Sequence, residues 1–161
     1  MDTRERFELI TRNLQEVIGE EDLKDKIDKK KSISIYWGTM PTGSPSIAYF
    51  FPMLKIADFL KAGCKVKIVI ADLHAGLDSV PWDLLDKRFD YYKEVIQLIL
   101  KAIDVDVKKL EFVRGSSFQL NKDYFNDVLR LSTLTSVHDS TKAASEAVKS
   151  AQGDNVKLSG L

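Results

Sequence analysis

Between residues 38 and 46 the chain gathers glycines, hydroxyls and a turn, groups that together can bind an anion. Gly38 to Ser44 hold two glycines, two threonines and a proline, too many breakers for a strand or a helix to continue through them. Ile33, Ile35 and Trp37 precede this turn as a β-prone run. From Ile47 onward, Phe51, Leu54, Ala57 and Leu60 recur at helical spacing, and Gly63 stops the pattern. A strand, a turn and a helix in this order leave backbone N–H groups at a helix N-terminus, with the positive end of its dipole behind them. That suits a phosphate. A plain connecting loop has the same composition, and at this level both readings stand.

The other chemistry-bearing residues are sparse. Asp72 ends VKIVIAD, residues 66 to 72, and His74 follows it, but no serine or cysteine nucleophile is placed with them. CxxC and HExxH metal patterns are absent, so no metal site is expected. Ligand binding is what remains. The single cysteine, Cys64, falls between a helix end and a strand, where a small buried residue would serve.

The elements that must position these residues follow from periodicity. Phe7, Ile10, Leu14, Val17 and Ile18 predict a first helix ended by Gly19, and Leu23 with Ile27 a second. VKIVIAD is an apolar β-branched run of the kind buried on both faces of a parallel sheet. Strand, helix and strand then form a right-handed parallel unit. Both strands end at one edge, which places Gly38 to Ser46 and Ala71 to Ala75 in one crevice. Ser79 and Pro81, with Asp83 and Asp86, announce a crossover helix whose buried face is Leu85, Phe89, Tyr92, Ile96 and Ile99. Residues 110 to 113, LEFV, form the third parallel strand, and Gly115 to Gln119 follow at the same edge. Two helices broken near His138 to Ser140 fill Asp123 to Lys149, with Tyr124, Val128, Leu131 and Leu134 as a stripe suited to a core or a dimer contact. The tail AQGDNVKLSGL reads as loop.

Composition excludes several classes. At 161 residues, 44% hydrophobic and 30% charged, the chain suits one folded domain. With 24 basic and 24 acidic residues, no net charge draws in nucleic acid. No apolar stretch reaches membrane-spanning length, and MDTRERFELI is neither a signal nor a convincing transit peptide, so the expected compartment is the cytoplasm and no membrane partner is expected.

The segments IYWGTMPTGSPSIAYFFPMLKIADFLKAGCKVKIVIADLHA, KKLEFVRGSSFQLNKDY and RLSTLTSVHDSTKAASEAVK, with LITRNLQEVIGEEDLK at the front, resemble the catalytic domain of tyrosyl-tRNA synthetases of eukaryotic and archaeal type, class I aminoacyl-tRNA ligases. The resemblance implies a Rossmann-like α/β fold, of which this chain holds the first half with three parallel strands and flanking helices. It also implies ATP-dependent activation of L-tyrosine and transfer to tRNA(Tyr). ATP, with Mg2+, would be a substrate, and no resident cofactor is implied. By the same resemblance Tyr36, Gly38, Ala71, His74, Phe118, Gln119 and Tyr124 surround tyrosine. Thr39, Pro41, Thr42, Gly43, Ser44 and Ser46 match nucleotide-binding positions, and Ser46 and Tyr49 the catalytic ones. Residues 1–31 correspond to an N-terminal helical segment, 32–122 to half of the catalytic domain, and 123–161 to a helical connecting region. Residues 123–150 would form a homodimer interface.

The departures are as specific. Ser46 stands where the family carries its phosphate-contacting histidine, and Ser44 where lysine or arginine is common. A neutral donor is roughly half as strong as a charged one. GLDSVPWD replaces a slightly longer loop with an aromatic residue. The chain ends at LSGL, before the family's later binding segments and remaining sheet strands. The expectation is an open sheet edge at Ile33 and Ile35, covered by downstream sequence, another polypeptide or self-association. The alternative to a ligase is a non-catalytic, synthetase-derived module that binds tyrosine, nucleotide or another protein.

Overall fold

The computed structural model describes residues 1–147, and side chains as far as residue 143. The tail AQGDNVKLSGL lies outside the described residues. Three parallel strands form one sheet in the order β1 (Ser34–Thr39), β2 (Lys65–Ile70), β3 (Leu110–Arg114). Between them run α3 (Phe50–Lys61), entered through a 3-10 turn at Ile47–Tyr49, and α5 (Leu85–Ala102), entered through another at Trp82–Leu84. Ahead of the sheet lie α1 (Thr3–Thr11) and α2 (Glu20–Asp28). The short helices α4 (Asp72–Leu77) and α6 (Ser116–Gln119) follow β2 and β3, and α7 (Lys122–Ser132) and α8 (Val137–Ala147) complete the described chain. This is the expected Rossmann-like α/β arrangement of three parallel strands and flanking helices.

One core lies between the sheet and its crossover helices. Val66, Ile68 and Ile70 on alternate positions of β2 meet Met53 and Ile56 of α3 and Ile96 and Leu100 of α5, all buried. The sheet is not buried on both faces as its sequence suggested. Lys65 and Lys67 leave the opposite face of β2 exposed, and Lys67 pairs with Glu111 of β3 at 3.3 Å. The apolar run of β2 therefore alternates in use although its composition does not.

The helix after the turn buries only part of the face expected: Ala57 and Leu60 are inside, and Ile47, Phe51 and Leu54 are not. Met53, Ile56, Ala57 and Leu60 are buried, whereas Ile47 and Phe51 are 80% and 76% exposed and Leu54 is half exposed. Two apolar stripes fit a 3.6-residue period here, and only contact with the sheet decides between them. Its end is as expected: Gly63 takes φ +77° just past Lys61 and Ala62. Cys64 follows, fully buried, and desolvation pushes its thiol pKa up.

The first helix is shorter than its spacing predicted. Asn13 at φ +58° turns the chain after Thr11, leaving Leu14 and Ile18 exposed, and Gly19 at φ +78° precedes α2 instead of ending α1. Ile10 of α1 enters the core, with Phe7 and Leu9 packed against it, and polar contacts fix the helix further. Arg12 clasps the buried Asp58 through Nε at 2.8 Å and through a second guanidinium nitrogen, and Lys55 Nζ donates to the carbonyls of Leu9 at 3.0 Å and Arg12 at 2.7 Å. Asp58 raises the Arg12 pKa, while desolvation lowers that of Lys55 against the pull of Asp58. At the other end of the chain the break between the last helices falls at residues 133–136, so His138 to Ser140 lie inside α8. The stripe Tyr124, Val128, Leu131 and Leu134 is exposed, not core.

β1 is paired on one side only among the described residues. Its backbone edge is open as expected, but Ile33 is buried and Ile35 partly buried against the core, so the side chains are not. Because Ile68 is fully buried between two crossover helices, Ile68→Ala should cost about 3 kcal/mol by cavity formation, measured as a lower urea midpoint with unchanged slope.

Candidate active site

Parallel pairing in register brings the three strand ends to one edge. Thr39 lies opposite Ile70, and Ile70 opposite Arg114. Beyond the ladders the Ala71 amide donates to the Thr39 carbonyl at 2.9 Å and the Gly115 amide to the Ile70 carbonyl at 3.0 Å. Tyr36 and Gly38 alternate onto the open face, and Tyr36 is 77% exposed.

Asp72 fastens this edge. Its carboxylate is 4% exposed and accepts from the Ser116 amide at 2.8 Å and the Ser116 hydroxyl at 2.5 Å, with Arg114 Nε at 4.0 Å. By sequence, Asp72 and His74 arrive together at the crevice just after β2. The structure separates them: Asp72 is consumed by the loop after β3, and His74 is exposed on α4. Gly115 belongs to the same knot. A Cβ there would stand 2.6 Å from Gln119 Oε1 and 3.0 Å from Asp72 Oδ1. Gln119 Oε1 is buried without a hydrogen-bond partner and faces this junction. Phe118 and Tyr124 stand edge to face, centroids 5.6 Å apart. Ala71, Phe118, Gln119 and Tyr124 thus gather at one end of the sheet, with Tyr36 and Gly38 on its open face.

The loop after β1 is tied down at intervals. The Thr39 hydroxyl and the Tyr49 hydroxyl share a 2.7 Å hydrogen bond, Pro41 is fully buried, and Thr42 donates to the Met40 carbonyl at 3.0 Å. Both backbone groups of Gly43 are taken from α5: its amide donates to Tyr92 Oη at 3.4 Å, and its carbonyl accepts from Arg88 Nη1 at 2.6 Å. Ser44 and Ser46 are exposed. Ser46 Oγ accepts from the Ala48 amide at 3.3 Å and so caps the turn into α3. Gly38 and Thr39 are strand, so the loop proper is residues 40–46. Arg88 was not singled out from the sequence and Tyr92 was read only as core, because an aromatic and an arginine on an amphipathic helix carry no signal of a contact about 45 residues away.

The segment GLDSVPWD closes differently from a simple loop. Gly76 is buried and a Cβ on it would stand 3.1 Å from the Trp82 ring, so Trp82 folds back over α4 after Ser79 turns at φ +82°. Among the described residues no group of three His, Cys, Asp or Glu side chains could hold a metal ion.

This arrangement can be set beside known proteins. The sequence profile of the class I tRNA synthetases (W and Y) matches residues 28–161. The chain belongs to that family. Relatives in the tryptophan and tyrosine group include the cytoplasmic tyrosine–tRNA ligase of Danio rerio, 54% identical over 98% of this chain and 30% of its own length. That of Saccharomyces cerevisiae is 48% identical over the whole chain and 41% of its own length. The crystal structure of the Archaeoglobus fulgidus tyrosyl-tRNA synthetase, complexed with L-tyrosine, superposes with a TM-score of 0.84 at 30% identity, over 99% of this chain and 48% of that one. The chain therefore spans between about a third and a half of the length of these relatives. No helix of the described residues of this synthetase-family chain is long and apolar enough to cross a membrane.

The Asp72 knot yields a stability test. Asp72→Ala leaves the Ser116 amide and hydroxyl unpaired and should lower stability by about 3 kcal/mol, whereas Ser116→Ala keeps the amide contact and should cost about 1 kcal/mol. Denaturant midpoints of the two variants check this.

Proposed function

We propose that the chain forms the tyrosine- and ATP-binding part of a tyrosine–tRNA ligase. The observation that carries this is the convergence of the loop after β1, the start of α4 and the α6–α7 corner at one sheet edge, in a chain of this family. The tyrosine-type relatives and the tyrosine-bound structural neighbour support that amino acid. Tyr36, Gly38, Ala71, His74, Phe118, Gln119 and Tyr124 then enclose tyrosine. Tyr36 offers a phenol from the open face, and Gln119 a buried carbonyl oxygen still free to accept.

The loop from Thr39 to Ser46 takes ATP, with Thr39, Pro41 and Thr42 as its base and Gly43, Ser44 and Ser46 nearest the phosphates. The first amides of a helix have no intrahelical acceptor, and those left after Ser46 caps Ala48 point toward an anion. In the reaction the tyrosine carboxylate forms a bond to the α-phosphorus, and the bond from that phosphorus to the bridging oxygen breaks, releasing pyrophosphate. A terminal ribose hydroxyl of tRNA(Tyr) then attacks the tyrosyl carbonyl, forming an ester as the bond to AMP breaks and AMP leaves. The protein contributes alignment and charge stabilisation, and no covalent enzyme intermediate is needed. Mg2+ would arrive on the triphosphate. Ser46 and Tyr49 are the catalytic positions, Ser46 by donating a hydrogen bond from its hydroxyl to phosphate and Tyr49 through Thr39. The division into residues 1–31, 32–122 and 123–161, dimerisation through 123–150, cover for the β1 edge by further polypeptide, and a cytoplasmic location complete the proposal. The exposed stripe on α7 and the relatives' cytoplasmic names support the last parts.

A second reading, a binding module without catalysis, is favoured by one observation: residues 38–49 carry no charged side chain. The isolated 161-residue chain is expected to show no tyrosine-dependent ATP–pyrophosphate exchange, and measurable exchange overturns that part. In a ligase of full family length carrying these residues, Ser46→His with Ser44→Lys should raise adenylate formation about tenfold or more, as charge-assisted contacts replace neutral ones. No exchange by that ligase before or after the change would favour the binding module.

A further inference from the structure

We infer that Arg88 and Tyr92, on the crossover helix α5, are positioning residues that act through Gly43 to hold the loop 40–46 in its phosphate-accepting form. The inference rests on the nucleotide reading of that loop and adds to it the groups that set the loop's height and charge. Arg88 Nη1 reaches the Gly43 carbonyl at 2.6 Å, and Tyr92 Oη receives the Gly43 amide at 3.4 Å. A residue held at both backbone groups cannot turn over, so the amides that follow it keep one direction.

The support beneath is continuous. The Tyr92 ring is buried and stands edge to face with Tyr49 at 5.8 Å, and Tyr49 in turn meets Trp37 at 6.3 Å. The Tyr49 hydroxyl closes onto Thr39 at 2.7 Å. Three aromatic rings therefore link the floor of β1 to the underside of the loop. Burial, with Tyr49 beside it, raises the Tyr92 pKa, so the phenol stays neutral beneath an anion site.

Arg88 adds charge. No side chain from Gly38 to Tyr49 is charged, and among the described residues no carboxylate lies within 4.0 Å of the Arg88 guanidinium to neutralise it. Its hydrogen bond to Gly43 aims a fixed positive charge at a loop whose own side chains supply hydroxyls. Arg88 thus stands where it can offset part of the charge missing at Ser44 and Ser46, working through the backbone and the local field.

The test uses the 161-residue chain, labelled with nitrogen-15, and follows amide exchange and shift changes of Thr42 to Ile47 on titration with ATP and, separately, with L-tyrosine. Arg88→Ala is expected to speed exchange at Gly43 and Ser44 on the order of tenfold and to weaken ATP binding by a similar factor, leaving tyrosine binding unchanged. Arg88→Lys should restore part of the affinity, because it keeps the charge and one donor. Tyr92→Phe, which keeps the ring, should speed Gly43 exchange by a smaller factor. Unchanged exchange in Arg88→Ala, or equal loss of ATP and tyrosine binding, overturns the inference. Should the wild-type loop show no shift with ATP while Arg88→Ala still loosens it, the nucleotide reading fails and the tether stands.

Discussion

Hydrogen bonding of β2 on both sides, in parallel register, is the constraint from which the site follows. Parallel neighbours must end at the same edge, and each must be reached by a crossover helix that returns the chain to the start of the sheet. α3 and α5 serve as those returns and also supply the apolar surface that buries β2. The loop after β1, the start of α4 and the corner at α6 meet because the parallel register that buries Ile68 ends all three strands at one edge. Asp72 converts this meeting into a fixed junction by tying the end of β2 to the loop after β3.

Most of the scaffold was legible because β-branched runs and helical spacing are local signals. All three strands, both crossover helices and the glycine stop after α3 follow from them. What could not be read locally is which of two equivalent stripes faces inward. Ile47, Phe51 and Leu54 fit the helical period as well as Met53, Ile56 and Leu60 do, and only the sheet chooses. The same limit applies to VKIVIAD, whose uniform composition hides an exposed face. α1 fails for another reason: a single residue at positive φ, Asn13, overrides an apolar spacing that continues past it.

At the site, resemblance named the loop and the residues around it, while the contacts that hold the loop stayed invisible. Arg88 and Tyr92 reach Gly43 from a helix remote in sequence, and nothing in their spacing separates them from ordinary members of an amphipathic helix. Asp72 is a structural residue at a suggestive place. An acidic residue beside a histidine suggests chemistry, yet a carboxylate 4% exposed and bonded twice to Ser116 serves the fold.

The exposure of Ser44 and Ser46 has an evolutionary consequence. Their neighbour Pro41 is buried and Gly43 is tethered through its backbone, but these two side chains reach outward, and Ser46 contributes only a cap to the turn below it. A lineage could exchange them without first losing the ability to fold. The outer side chains of the loop can vary while Asp72 and Gly115 hold the scaffold. Under the proposed function, charge at the phosphates and foldability are then inherited separately.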